Sequence, residues 1–145
     1  MSDSDLIKLY SARILELAAD IPHLGRMTES QGSARRRSPL CGSMVTVDLT
    51  LDQGRVSGFA QDVKACALGQ GSAAVLGRVV IGRSVAELQA ARTALEAMLK
   101  AASPVHAPPF DGYEALIPAR DYKNRHASIL LPLEAACEAA ALATR

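Results

Sequence analysis

From Met44 to Leu51 the sequence alternates without a break, Val45, Val47, Leu49 and Leu51 interleaving with Met44, Thr46, Asp48 and Thr50. Successive side chains of a strand point to opposite faces, so this period of two specifies a strand with one buried face. Asp52-Gln53-Gly54 follows as a tight turn and Arg55–Lys64 returns as a second strand, which makes the pair a β-hairpin. The alternation of the return strand is less clean, because Val56 and Phe59 fall on opposite faces of a regular strand. The hairpin also constrains chemistry. Cys41 stands just before its first strand and Cys66 just after its second, so antiparallel pairing brings both to one end of the sheet.

Around the hairpin the periodicity is helical. Residues 4–19 space Leu6, Ile7, Leu9, Tyr10, Ile14, Leu17 and Ala18 by three and four, with Ser4 or Asp5 as N-cap, and Pro22 and Gly25 end that helix. Residues 23–40 show little periodicity and predict a loop with at most one weak edge strand. Cys66–Val80 predicts a helix with a small-residue face, weakened by Gly69 and Gly71. Ser84 and Glu87 form a capping-box pattern that opens a helix through Lys100. Ser103–Gly112 is a proline-rich loop, Gly112–Leu116 a short helix, and 118–125 irregular; a last helix runs from Ser128, as N-cap, to Ala143. Together these elements predict one domain over residues 1–145.

Composition narrows the partners. With a net charge of +1 and 21% charged residues, no global field favours nucleic acid or an anionic membrane surface. Aromatic residues make up 3%, with no Trp, which disfavours base-stacking or carbohydrate platforms. The densest apolar run, Ile129–Leu133, is short and broken by Pro132, so no membrane span is expected. Three cysteines without a secretory pattern predict reduced thiols and a cytoplasmic location.

The candidate chemistry lies in the two hairpin cysteines. Cys66 opens a helix two residues after Lys64, and both the helix dipole and the ammonium favour thiolate, the form that attacks sulfur or binds metal. The plain alternative is a pair of inert packing cysteines. Cys137 falls on the apolar stripe Leu130, Leu133, Cys137, Ala140 and is expected to be core. His126 precedes the last helix with no apolar pattern to bury it, while His23 and His106 lie in proline-flanked loops and are expected at the surface. The run Arg35–Arg37 is expected to be mainly a solvated face, with a docking patch as the alternative.

These residues resemble a known family, the U-type iron–sulfur cluster assembly scaffolds of the IscU, SufU and N-terminal NifU group. Ser38-Pro39-Leu40-Cys41-Gly42 is similar to the family's Asn-Pro-x-Cys-Gly-Asp motif. Lys64-Ala65-Cys66 and its Ser/Ala-rich helix are similar to the second cysteine segment, and Ile81-Gly82-Arg83-Ser84 to the Lys-Gly-Lys-Ser segment. Tyr122–Leu131 resembles the segment with the third cysteine, and the long gap before it is closer in spacing to the SufU branch.

The resemblance implies an α+β fold of the SufE/NifU-like kind: a small antiparallel sheet of two to three strands covered on one face by about four to five helices. It implies a scaffold or sulfur acceptor rather than an enzyme, one that takes sulfur from a cysteine desulfurase and passes a [2Fe–2S] cluster or iron to apo iron–sulfur proteins. Zinc at the same site is the alternative. Three cysteines and an Asp supply the family's ligands. Here Ser43 stands for the Asp, a weak ligand, and the third cysteine's place falls to His126, Ala127 or Ser128 depending on register. Imidazole replaces thiolate on zinc and on iron–sulfur clusters, which makes Cys41, Cys66 and His126 with an open fourth position the expected set. The missing Asp and third Cys also allow a different reading: a degenerate scaffold fold serving as a non-catalytic interaction or regulatory module.

Overall fold

The computed structural model describes residues 11–39, 42–101 and 106–144. The chain runs as α1 (Ala12–Ala18), β1 (Gly32–Arg37), β2 (Met44–Asp52), β3 (Arg55–Lys64), α2 (Ala67–Val79) and α3 (Val85–Lys100). Two 3-10 segments, Phe110–Asp121 and Lys123–Arg125, then lead into α4 (His126–Ala143). The strands form one antiparallel sheet in the order β1-β2-β3, and helices cover it, as expected for an α+β fold. The part of the first expected helix before Ser11 lies outside the described residues; Ser11 caps what is described, its hydroxyl accepting from the Ile14 amide at 3.3 Å.

The hairpin forms over the expected residues, with Gln53 and Gly54 at positive φ in its turn. A register shift between Thr50 and Leu51 places Leu51 opposite Val56 and Leu49 opposite Phe59. That bulge removes the phase conflict: one extra residue returns Val56 and Phe59 to the same buried face. β1 is a full six-residue strand, paired from Gly32 opposite Leu49 to Arg37 opposite Met44, where a loop with at most a weak strand was expected. Its sequence, Gly-Ser-Ala-Arg-Arg-Arg, carries no β pattern; it is held by the β2 ladder, by Arg35 Nε donating to Thr46 Oγ1 at 3.2 Å, and by Arg36 facing Glu138 of α4 at 3.6 Å.

α4 lies across β1 and β2, and Val45, Val47 and Leu49 share one buried core with Ile129, Leu133, Ala136 and Ala140 of that helix; α2 and α3 pack on α4, and α1 packs on α2. Gly32 permits the close crossing, since a Cβ there would clash with the Ala139 carbonyl oxygen. The stretch Lys123–Ala143 is long and apolar enough to cross a bilayer by length and composition, which the short leucine-rich run does not suggest; half of it is buried within this fold, as in a core helix. The Ser84–Glu87 capping box is present in both directions, at 3.1 Å each.

The other face of the sheet is strapped by residues 22–31. Gly25 and Gln61 bond to the β3 edge and the strap in turn, and Asp48, 1% exposed, takes hydrogen bonds from Arg26, the Met27 amide and Ser33. His23 lies exposed in this strap, as expected. His106, expected at the surface, is buried, its ring 5.2 Å from that of Tyr113 under the proline-rich segment.

Candidate functional site

The site forms where the open end of the hairpin meets the first turns of α2 and α4. At that end Gly42 takes a positive φ of 73°, its amide donates to Ser38 at 2.9 Å, and the Ser38 amide donates to the Ser43 carbonyl at 2.8 Å. This tight turn delivers Ser43, 3% exposed, at the start of β2. Cys41 lies outside the described residues. Across the hairpin β3 ends at Lys64 opposite Met44, and Cys66 becomes the N-cap of α2, its carbonyl accepting from Gln70 at 2.9 Å.

Three side chains from three elements meet here. Ser128 Oγ lies 3.5 Å from Cys66 Sγ and 3.1 Å from Ser43 Oγ. Ser128 is completely buried and Cys66 partly so. Gly69 makes the meeting possible: a Cβ on it would stand 2.7 Å from both Ser128 Oγ and Ala65 Cβ. One turn further along α2, Ser72 Oγ donates to the Ile129 carbonyl at 2.5 Å and ties the two helices together.

Burial of the Cys66 thiol opposes its ionisation. The Ser128 hydroxyl, the Gly69 and Leu68 amides at the helix start and the Arg125 charge favour the thiolate, and the balance lies below the ordinary thiol value. Cys137 is the opposite case, half-buried in α4, its thiol pushed up to about 11 by burial, with Arg92 and Glu134 acting in opposite senses.

Ser128 is therefore not an N-cap. α4 begins at His126 with no capping side chain, and the Ser128 hydroxyl turns inward to the thiol. His126, expected as the third ligand, stands elsewhere: its Nε2 contacts the carbonyls of Arg120 at 2.8 Å and Ala119 at 3.2 Å, which requires a proton on that nitrogen. The ring lines a groove of about 580 Å³ with Leu99, Lys100, Arg120, Asp121 and Lys123. Helical geometry explains the exchange, because residues two apart face different directions and it is Ser128 that faces Cys66 and Gly69 at the start of α2. Of the three register alternatives, Ser128 is the residue brought to Cys66; Gly69, whose missing side chain admits it, was legible only as a helix-weakening glycine.

Among the described residues no three His, Cys, Asp or Glu side chains gather in a metal-binding group. Among the described residues the donors here are the Cys66 thiol and two hydroxyls bonded to each other; hydroxyls are poor ligands for zinc or iron, which take thiolate, imidazole or carboxylate, so Ser43 and Ser128 do not fit as ligands of a resident ion beside Cys66.

A three-stranded antiparallel sheet backed by helices, with a thiol at a helix start beside the hairpin's open end, defines the protein as an α+β fold with a cysteine set at one end of its sheet. The chain belongs to the NifU-like N-terminal domain family, whose model matches residues 9–128. It is similar to the crystal structure of a nitrogen-fixing NifU-like protein (N-terminal) from Brucella abortus, with 42% identity, 97% of each chain covered and a TM-score of 0.92. A protein from Fervidobacterium islandicum AW-1, named as a candidate iron–sulfur cluster assembly scaffold for the SUF system, shares the fold at 19% identity and a TM-score of 0.77, over 89% of this chain and 94% of that one. A hypothetical protein shares it at 20% identity and a TM-score of 0.79, over 93% and 98%. No curated protein matches the sequence.

Proposed function

We propose that this protein serves iron–sulfur cluster assembly as a sulfur acceptor and scaffold, with Cys66 as the residue that takes the sulfur. Membership of the NifU-like family supports the general role. The single observation behind the finer assignment is the placement of Cys66 Sγ at the start of α2 within 3.5 Å of Ser128 Oγ, where helix and hydroxyl favour thiolate. The donor is a cysteine desulfurase carrying a persulfide. The Cys66 thiolate attacks the outer sulfur of R–S–SH, a new S–S bond forms, the donor's S–S bond breaks, and the donor leaves as R–S⁻ while the transferred sulfur keeps its proton. Iron and the nascent [2Fe–2S] cluster are cargo, met by the Cys66 and Cys41 thiolates and passed on to apo iron–sulfur proteins.

In the test, the protein is incubated with a cysteine desulfurase and free cysteine and its intact mass is measured. The wild type gains the mass of sulfur and Cys66→Ser does not. Equal gain by Cys66→Ser, or none by the wild type, refutes the assignment. The Ser43–Ser128 hydrogen bond, in the positions where the resemblance implies ligands, favours a second reading, a non-catalytic interaction module. That reading requires desulfurase binding with no sulfur gained by any cysteine.

A further inference from the structure

Ser43, Cys66 and Ser128 are separated by many residues in sequence yet meet where the starts of β2, α2 and α4 converge, joined by two hydrogen bonds that share Ser128 Oγ. The observed separations are 3.5 Å from Ser128 Oγ to Cys66 Sγ and 3.1 Å from Ser128 Oγ to Ser43 Oγ. These are hydrogen-bond lengths, and the Ser128 hydroxyl takes the place directly beside the thiol. Neutral hydroxyls are poor ligands for zinc or iron, and each of these is already engaged in a hydrogen bond. His126 offers no remedy through Nε2, which is committed to two backbone carbonyls.

We propose that Ser128, backed by Ser43, fills the coordination space beside Cys66 and keeps this site free of a resident metal, so that the protein accepts sulfur without one. This rests on the reading of Cys66 as sulfur acceptor and deepens it. The Ser128 hydroxyl, itself bonded to Ser43, holds Sγ through one hydrogen bond and leaves the thiol's other lone pairs for an incoming sulfur. The buried Ser128 and the bare Gly69 against it mark the arrangement as built into the packing. An oxygen-to-sulfur exchange at Ser128 then puts a second thiolate beside Cys66 in place of a poor ligand.

Zinc is the probe, its affinity measured by competition against a chromogenic chelator on full-length protein stripped of metal. Ser128→Cys is expected to bind zinc at least about tenfold more tightly than wild type, since a thiolate then replaces a hydroxyl. Ser128→Ala is expected to show no gain over wild type, and wild type is expected to take up one sulfur from inorganic tetrasulfide with chelator present. In that reaction Cys66–S⁻ and S₄²⁻ give Cys66–S–S⁻ and S₃²⁻. Wild-type zinc binding as tight as that of Ser128→Cys, and abolished by Cys66→Ser, overturns the proposal while leaving sulfur acceptance intact. Should Ser128→Cys fail to fold, the comparison of wild type with Cys66→Ser still decides it. Weak wild-type zinc binding with no sulfur uptake refutes the sulfur-acceptor reading, and with it the claim of metal-free transfer.

Discussion

Asp48 is the anchor of the strap on the second face of the sheet, and its carboxylate sets a measurable pH dependence. Arg26 reaches it through Nε at 2.6 Å and Nη2 at 3.2 Å, the Met27 amide at 3.1 Å and Ser33 Oγ at 2.6 Å. The Arg26 hydrogen bonds lead the effect; burial opposes them, and Ser33, Met27 and the Arg26 charge add to them, holding the carboxyl at about 2 against its ordinary 3.8. A folded-state value depressed below the unfolded one contributes stability that is present above the unfolded value and lost as pH falls toward the folded one. A gap of nearly two units at ~1.36 kcal/mol per unit is about 2 kcal/mol, roughly half of it gone by about pH 3. Asp48→Asn keeps the shape and removes the titration. Urea unfolding at constant ionic strength, at about pH 6 and about pH 3, should show the wild type losing about 1 kcal/mol more than the variant over that interval. Equal losses in the two proteins would refute the assignment of this acid sensitivity to Asp48.

Gly69→Ala sets two effects against each other: overpacking of about 1–3 kcal/mol at contacts of 2.7 Å, and a helix-propensity gain of about 1 kcal/mol. Denaturation should show a small net loss of stability, while alkylation of Cys66 at neutral pH slows because Ser128 is displaced; an unchanged rate counts against the role given to Gly69. The cysteines should also separate by reactivity. With its thiol pushed up to about 11, Cys137 should be alkylated long after Cys66 near neutral pH, as read by peptide mass, and simultaneous labelling would contradict the two environments described.

What could be read in advance follows from where local pattern decides structure. The β2–β3 hairpin and α3 were legible because alternation, turn residues and a capping box all agree there. β1 was not, because its arginines carry no strand signal and it is the β2 ladder that makes them extended. Placing Cys66 at a helix start beside the hairpin's open end needed only spacing. Choosing among His126, Ala127 and Ser128 needed the phase of α4, and the 3-10 stretch Phe110–Asp121 before it has no hydrophobic period from which a phase follows. The same segment hides the burial of His106, since prolines and a histidine read as surface loop until Tyr113 and α3 close over them.

The central claim, that Cys66 is the atom at which sulfur arrives, is tested most directly by peptide mapping after turnover with a cysteine desulfurase under non-reducing conditions. The account predicts the added sulfur on the peptide that contains Cys66. Sulfur found solely on the Cys41 or Cys137 peptide, with Cys66 unmodified, would contradict it.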